Sequence, residues 1–376
     1  MTAAAIAARL AARAEPDGFV PFDRFMDAAL YADGVGRYAR PDPPLGTGGD
    51  FYTAAHVSPL FGATIADRCA AVGALLPRRE PPRIVEVGAG DGALAEAILR
   101  AVPLDTPFAE YVIVDRSGPL RARAVARAEA VRAPVRVRTA PALSADGPFC
   151  GVVIANELLD ALPARRVRWD GTGWRELGVR WTGDRFAPAE SAARDPVPVP
   201  AQPVPAGSVL EFAPAALGFV REIGDHLAAG AALLLDYGMG TDELVRGHPT
   251  GTLAGARRHR PVDDPLDAPG ETDLSVFVDF DRLRAAARSA GLRELGFSSQ
   301  AEALARWGFE ARLAAAVGAA PDAAARVKVQ LAAKNLLFGF DRFRVLELAP
   351  PATGRARGAT DGRPGPSGPA PPRASR

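Results

Sequence analysis

A glycine-rich turn with two acidic residues is the strongest chemical feature of this 376-residue sequence. The turn, Glu86-Val87-Gly88-Ala89-Gly90-Asp91-Gly92, lies between a short apolar run that predicts a strand and a segment typical of a helix. Glycines let a backbone turn tightly and approach a ligand without side-chain clash. Gly88, Gly90 and Ala93 also match the G-x-G-x-x-G/A pattern of dinucleotide-binding proteins. The turn therefore predicts a cofactor site; the alternative is a plain tight turn in which Asp91 caps the helix.

Charge helps to distinguish the cofactors that such a turn could hold. A nicotinamide dinucleotide would place its pyrophosphate at the helix N-terminus, beside the carboxylate of Asp91, where like charges repel. S-adenosyl-L-methionine has no phosphate, and its sulfonium and ammonium suit Glu86 and Asp91. The sequence therefore favours S-adenosyl-L-methionine. Asp115, at the end of the next predicted strand, can bind the ribose hydroxyls of either cofactor, or it is a solvated strand-end carboxylate.

Further polar residues follow the fourth and fifth predicted strands. Asn156, Glu157 and Asp160 come directly after one apolar run, and Asp236 ends the next. Because ligands of open α/β sheets bind at the carboxyl edge of the strands, these side chains are candidates for substrate contact. Three alternatives remain open: Asp160 caps the following turn, Glu157 lies on a surface loop, and Asp236 binds loop amides.

Strand-like and helix-like segments alternate from residue 83 onward, which predicts an α/β domain with a doubly wound, mainly parallel sheet. A segment of about residues 165–211 interrupts the alternation; it contains a predicted β-hairpin around Gly171 and a proline-rich stretch. Residues 238–276 resemble a long active-site loop, and the tail after residue 348 has the composition of a disordered segment. The predicted strands are Arg83–Val87, Tyr111–Asp115, Val135–Thr139, Gly151–Ala155, Ala231–Asp236 and Asp341–Leu348, and the predicted helices include Ala93–Arg100, Asp281–Ala290, Gln300–Trp307 and Pro321–Leu337.

Composition narrows the class of protein. A formal net charge of +1 argues against a dedicated nucleic-acid binder. Two unclustered cysteines fit a reducing, cytoplasmic compartment, and with four scattered histidines they give no metal-ligand spacing. No apolar run reaches the length of a membrane helix. The alanine-rich N-terminus could imitate a transit peptide, but Ile6 and Leu10 are spaced as in an amphipathic helix.

Several longer motifs resemble one known family. They are FMDAALYADGVGRY (residues 25–38), GDFYTAAHVSPLFG (49–62), VEVGAGDG (85–92), ANELLDALP (155–163), LLLDYG (233–238) and PGETDLSVFVDF (269–280). In this order they resemble the MidA family of S-adenosylmethionine-dependent methyltransferases, over roughly residues 20–348. The family is related to a mitochondrial complex I assembly factor. Asp115 departs from the pattern, since the family usually has Glu there, and the proline-rich stretch matches poorly.

The resemblance implies a class I methyltransferase fold with a seven-stranded sheet, an N-terminal helical cap and an inserted β-hairpin. We expect a cap and cofactor lid over residues 1–80, a catalytic domain over 81–348 with the insertion at about 165–211, and a disordered tail over 349–376. The implied activity is methylation of a protein arginine, with a respiratory complex I subunit as the suggested target. The rivals are a nicotinamide-dependent oxidoreductase and an assembly factor that binds the cofactor without catalysis.

The implied substrate assigns roles to the candidate residues. Carboxylates can bind a guanidinium through two parallel hydrogen bonds, so we expect Glu157 to clamp the arginine, with Asp160 second and Asp236 as a further candidate. Asn156 would hold the methionine end of the cofactor or the substrate. Besides Glu86, Gly88, Gly90, Asp91 and Asp115, the resemblance points to Gly49, Asp50 and Thr53 as a cofactor lid; His56 is a possible base but more typical of a structural histidine, and Glu271, Thr272, Asp273 and Asp279 are expected to form an acidic rim.

Overall fold

The computed structural model describes residues 2–43, 53–77, 80–194, 196–197, 203–258 and 260–351. The helices are α1 (Thr2–Ala11), α2 (Phe22–Tyr31), α3 (Ala54–Val57), α4 (Pro59–Gly73), α5 (Ala93–Ala101), α6 (Gly118–Glu129), α7 (Pro214–His226), α8 (Thr241–Gly247), α9 (Phe280–Ser289), α10 (Gln300–Arg306), α11 (Phe309–Gly318) and α12 (Ala323–Phe338). The strands are β1 (Val20–Pro21), β2 (Arg83–Val87), β3 (Glu110–Val114), β4 (Arg136–Ala140), β5 (Phe149–Asn156), β6 (Arg165–Trp169), β7 (Trp174–Trp181), β8 (Phe186–Ala192), β9 (Val209–Phe212), β10 (Leu227–Met239), β11 (Ala254–Arg257), β12 (Arg260–Pro261), β13 (Asp273–Ser275), β14 (Val278–Asp279), β15 (Arg293–Ser299) and β16 (Phe343–Ala349).

A mixed sheet forms the centre of the molecule, in the order β15-β16-β10-β5-β2-β3-β4. The strands from β10 to β4 are parallel to their neighbours, whereas β16 runs antiparallel between β10 and β15. The short strand β14 adds an eighth member, because it pairs with Gly238 and Met239 at the end of β10. The α/β class predicted from the sequence is confirmed, but the sheet has eight strands where seven were expected.

Apolar side chains cover both faces of this sheet. Since successive strand residues point to opposite faces, Ile84 and Ile154 pack on one side and Val85 and Val153 on the other. Helices α4, α5 and α10 to α12 contribute to the first core, and α7 and α9 contribute to the second. Burial on both faces explains why the parallel strands are nearly continuous apolar runs.

The inserted segment forms more than the expected hairpin. Strands β6 and β7 do pair as an antiparallel hairpin that ends at Trp169 opposite Trp174. However, β8 and β9 extend it to a larger sheet, and β1 from the N-terminal region pairs with β7. Helices α1 and α2 pack against this sheet in a third core that includes Phe25, Val179 and Phe186. The N-terminal segment and the insertion therefore share one core, although they are distant in sequence.

The expected long loop of residues 238–276 contains regular structure of its own. Helix α8 follows β10, and strands β11 to β13 form a small antiparallel sheet. The α1 helix packs closely on this region: a Cβ added to Gly270 would lie only 3.1 Å from the side chain of Ile6. Residues 352–376, most of the expected tail, lie outside the described residues. Within the described part of the chain, no helix is both long enough and apolar enough to cross a membrane.

Candidate active site

One cavity of about 290 Å³ lies at the carboxyl edge of β2, β3 and β5. The glycine-rich turn forms one wall, and residues Asn156 to Leu162 after β5 form another. Tyr31, Tyr38 and helix α3 close it from the N-terminal side. Of the residues predicted as a site, the cavity is lined by Thr53, Glu86, Gly88, Gly90, Asp91, Asp115, Asn156, Glu157 and Asp160. Gly49 and Asp50, the predicted lid, lie outside the described residues.

The turn after β2 depends on glycine at three positions. Gly88, Gly90 and Gly92 have φ values of 75°, 56° and 82°, in the left-handed region that most side chains avoid. A Cβ on Gly88 would lie 2.7 Å from Leu158 on the opposite wall of the cavity. The Gly88 N–H donates to the Val114 carbonyl at 2.8 Å, which ties the turn to the end of β3. The backbone itself therefore forms this wall and leaves room for a ligand.

Asp91 is held in place by three partners. Its carboxylate lies 3.2 Å from His56 Nε2, accepts from the Arg127 guanidinium at 2.9 Å and accepts from the Ala93 N–H at 3.1 Å. Burial opposes ionisation, but the His56 hydrogen bond and the charge of Arg127 prevail and lower the pKa of Asp91. Arg127 also pairs with Glu96, so it offsets only part of the negative charge that the sequence argument places beside the helix N-terminus. His56 thus contacts Asp91, as a structural histidine would, and it also lines the cavity.

Glu86 is a buried acid beneath the turn. Its carboxyl group accepts a hydrogen bond from the Tyr111 hydroxyl at 2.6 Å. Burial raises the pKa of Glu86 to about 8, and the nearby charges of Asp115 and Asp91 act in the same direction. A nearby cation would lower this pKa again, since an opposite charge favours the ionised form. Glu86 is thus suited to lie close to a positively charged ligand.

Asp115 lies directly after β3 and faces the same cavity. It accepts from the Gly90 N–H at 3.3 Å and from the Ser117 N–H at 2.8 Å, so it joins the turn to the start of α6. The pKa of Asp115 is raised, because the effect of burial exceeds the opposite effect of these two amide hydrogen bonds. The Asp115 side chain is therefore long enough to reach the turn.

Glu157 has a strained backbone conformation. Its φ of 52° is left-handed, which is uncommon for a residue with a side chain and frequent at functional sites. One carboxyl oxygen accepts from the Ala54 N–H of α3 at 3.1 Å and from the Asn156 amide at 3.3 Å. Burial raises the pKa of Glu157 to about 8. Asn156 Oδ1 is buried and makes no hydrogen bond with any described residue, so it has capacity for a ligand.

Asp160 and Asp236 differ in access to the cavity. Asp160 is only 2% exposed, lines the cavity, and its Oδ1 has no hydrogen-bond partner among the described residues. Asp236 does not line the cavity; it accepts from the N–H groups of Leu159 at 2.7 Å and Tyr237 at 2.9 Å. Burial raises the pKa of both acids. Asp236 is therefore a strand-end carboxylate that binds loop amides, which is the alternative that the sequence analysis left open.

The predicted acidic rim is not a rim. Only Glu271 is exposed; Thr272, Asp273 and Asp279 are buried. Asp279 caps α9 by accepting from the Arg282 N–H at 3.2 Å, and it binds the Thr241 hydroxyl at 2.8 Å. Asp273 instead lines the cavity. The four residues separate because they fall on a turn, on β13 and on β14, whose residues face different neighbours.

The N-terminal segment supplies cavity residues that the sequence analysis did not assign. The Tyr38 hydroxyl donates to Asp273 Oδ1 at 2.5 Å, and the Tyr31 hydroxyl donates to the Ala161 carbonyl at 2.9 Å. The two rings lie 5.5 Å apart, and the Arg116 guanidinium lies 4.0 Å above the Tyr31 ring. Both tyrosines belong to the motif of residues 25–38, which was the available signal. Within the described part of the chain, no group of His, Cys, Asp or Glu could hold a metal ion.

Known proteins are similar to this chain in sequence and in fold. Residues 63–298 match the model of a family described as "Putative S-adenosyl-L-methionine-dependent methyltransferase". The protein arginine methyltransferase NDUFAF7, mitochondrial, of Danio rerio is 26% identical over 311 residues, which cover 73% of this chain and 70% of that protein. The human protein of the same name is 27% identical over 326 residues, which cover 79% of this chain and 71% of its own length.

Two solved structures have the same fold as this chain. A crystal structure of a Burkholderia thailandensis protein with bound S-adenosyl-homocysteine is 34% identical, covers 93% of this chain and 92% of its own, and has a TM-score of 0.80. A second crystal structure of a protein from that organism, in native form, has a TM-score of 0.81 at the same identity and coverage. The family model and these near-complete structural matches show that the chain belongs to the MidA family of S-adenosyl-L-methionine-dependent methyltransferases, which confirms the family and the cofactor predicted from the sequence.

Proposed function

We propose that this enzyme methylates an arginine side chain of a protein substrate. The single observation that carries the proposal is a pair of carboxyl groups, Glu157 and Asp160, which line the same cavity as the glycine-rich turn. The relatives named protein arginine methyltransferases support it. We take a respiratory complex I subunit as the first target to test, because the family resemblance implies it.

The cavity fits S-adenosyl-L-methionine. The left-handed glycines form a wall without side chains, and Asn156 Oδ1 is buried with no partner among the described residues. In our proposal the turn holds the methionine part together with Asn156, Thr53 and the segment of Gly49 and Asp50, while Asp115 binds the ribose hydroxyls. When bound, this cofactor supplies an electrophilic methyl group on a cationic sulfur. Glu86, buried below the turn, would compensate part of that positive charge.

The substrate guanidinium would lie between Glu157 and Asp160. A guanidinium has five donors in a rigid fork, which carboxylates bind with two parallel hydrogen bonds. Asp160 Oδ1 has no hydrogen-bond partner among the described residues, so it can accept such a bond from a substrate. Its pKa is raised by burial and by the charge of Asp273. The nitrogen that gains a methyl group must lose one proton, and a carboxylate with a raised pKa is suited to hold that proton at Oδ1.

Aromatic rings favour a guanidinium over other cations. Tyr31 and Tyr38 line the same cavity as Asp160, and burial raises the pKa of both hydroxyls, so they stay protonated donors. Planar guanidinium groups stack on aromatic faces. Arg116 already stacks on Tyr31 in this way. The rings also exclude water, which strengthens the attraction between the carboxylates and a bound cation.

The test is a search for the labelled residue. Purified enzyme and isotope-labelled S-adenosyl-L-methionine are incubated with a lysate and with isolated complex I subunits, and labelled peptides are sequenced by mass spectrometry. We expect label on arginine, and none with a Gly90→Val variant. Label on lysine or on a small molecule would overturn the arginine assignment. Tight cofactor binding without any label would instead favour the non-catalytic assembly factor.

A further inference from the structure

Helix α12 presents an apolar stripe to solvent. Val327, Leu331 and Phe338 are 52%, 61% and 72% exposed, and they make up half of the large apolar side chains exposed among the described residues. Spacings of four and seven residues place them on one face of the helix. The opposite face packs into the protein through Ala333 and Leu336. Single exposed apolar residues are ordinary, but an aligned set marks an interaction surface.

Cationic side chains flank this stripe. Helix α12 carries Arg326, Lys328 and Lys334, all exposed, and its sequence contains no Asp or Glu. None of the three forms an ion pair with a described residue, whereas many other arginines of the protein are paired, for example Arg165 and Arg312. Lys328 and Lys334 are the only lysines in the 376-residue chain. The face therefore combines uncompensated positive charge with exposed apolar surface.

We propose that this surface binds membranes that contain anionic phospholipids. We call it the α12 face; it consists of Arg326, Val327, Lys328, Leu331, Lys334 and Phe338. Exposed apolar side chains at a membrane surface insert at the boundary of headgroups and acyl chains, while neighbouring Lys and Arg meet the anionic headgroups. The proposal concerns how the enzyme is localised and is independent of the identity of the methyl acceptor.

Charge and residue type favour a membrane over a protein partner. In a two-fold dimer through the same face, Arg326, Lys328 and Lys334 of both copies would lie in one interface, and α12 contains no acidic residue to pair with them. Protein interfaces are enriched in Arg and depleted in Lys. Here a chain with almost no lysine has both of its lysines on this face. The long lysine stem can lie along an apolar surface while its ammonium stays in water, as at a membrane interface.

Vesicle co-sedimentation of the full chain tests the proposal. We expect binding to phosphatidylcholine vesicles that contain phosphatidylglycerol, weaker binding at high salt, and little binding to phosphatidylcholine alone. Phe338→Ser should reduce the partition coefficient by about tenfold, because the variant loses one apolar side chain that would be buried in the membrane. A Lys328→Gln, Lys334→Gln double variant should reduce it by about 25-fold, since each charge near an anionic surface contributes about fivefold.

Two control variants make the same kinds of change, the loss of an exposed apolar side chain and the loss of an exposed cation, elsewhere on the protein. Leu104→Ser removes a leucine that is 91% exposed between α5 and β3, and Arg288→Gln removes an exposed cation on α9. Both should bind vesicles as the wild type does. All variants should bind S-adenosyl-L-methionine normally by calorimetry, which shows that they are folded. Absence of binding to anionic vesicles, or equal loss in the matched variants, would overturn the proposal. So would a dimer in sedimentation velocity that Phe338→Ser dissociates, because a second copy would then cover the face.

Discussion

Glu157→Gln separates the charge of the proposed guanidinium site from its shape. Glutamine keeps an oxygen that can accept from the Ala54 N–H, and it can keep the left-handed backbone that the chain already adopts at this position. It loses the negative charge. We therefore expect nearly unchanged affinity for S-adenosyl-L-methionine and slower methyl transfer to arginine.

The size of the effect depends on pH. Removal of one partner from a desolvated charge pair costs roughly 2–5 kcal/mol, or about 30-fold to several-thousand-fold in rate. Burial raises the pKa of Glu157 to about 8. At pH 7 the wild-type carboxyl must first lose its proton, which costs about 1.4 kcal/mol. At peptide concentrations well below saturation, where the rate reports the pKa of the enzyme without bound peptide, the ratio of wild-type to variant rates should therefore be about tenfold larger at pH 9 than at pH 7.

The assay is single-turnover methylation of the identified target peptide at both pH values, with cofactor calorimetry in parallel. Glu243→Gln, an exposed acid on α8, is the matched control and should leave the rate unchanged. A Glu157→Gln rate within about threefold of the wild type at pH 9 would refute the clamp. Asp160 and Asp273, which line the same cavity, would then be the remaining acids near the substrate.

Three further predictions concern the cofactor site and its acids. Asp115→Ala should weaken S-adenosyl-L-methionine binding by roughly 1–3 kcal/mol in calorimetry, and Asp115→Glu should restore it; equal affinity for Ala and wild type would remove Asp115 from the site. Gly90→Val should abolish binding without unfolding the protein, because a β-branched residue is strained at a φ of 56°; normal binding by a folded variant would contradict the role of the turn. Since burial raises the pKa of Glu86 to about 8, above its unfolded value, the ionised form opposes folding, so urea denaturation should show the wild type losing about 1–3 kcal/mol of stability relative to Glu86→Gln between pH 6 and pH 8. A parallel pH dependence of the two proteins would show that Glu86 ionises freely in the folded state.

The central strands could be predicted because burial on both faces leaves a strong local pattern. β2 was predicted with its observed bounds, since prolines precede it and a glycine follows it. β15 and β8 were missed, because RELGFSS and FAPAESA contain few large apolar residues. These strands form because the neighbours β16 and β7 offer unpaired backbone groups, and that information is tertiary. The same holds for β14, which pairs only with the last two residues of β10.

The candidate site was predictable where it follows strand ends. Parallel strands end at one edge of the sheet, so Asp115 and Glu157 meet in one cavity although they lie far apart in sequence. Tyr31 and Tyr38 arrive from a region outside the sheet, and no local rule places them there. The pairing of Asp91 with Arg127 likewise depends on how α5 and α6 pack, and the sequence alone did not predict it.

Crowding of acids at one cavity explains why the site favours a cation. Burial raises the pKa of Glu86, Asp115, Glu157 and Asp160, so each resists ionisation in the folded protein. An arrangement of this kind opposes folding and persists where a bound cation offsets it. Charge alone, however, would accept a lysine ammonium as readily as a guanidinium. The preference for arginine that we propose would therefore come from shape: two carboxyl groups that can bind a planar fork, beside the tyrosine rings on which it can stack.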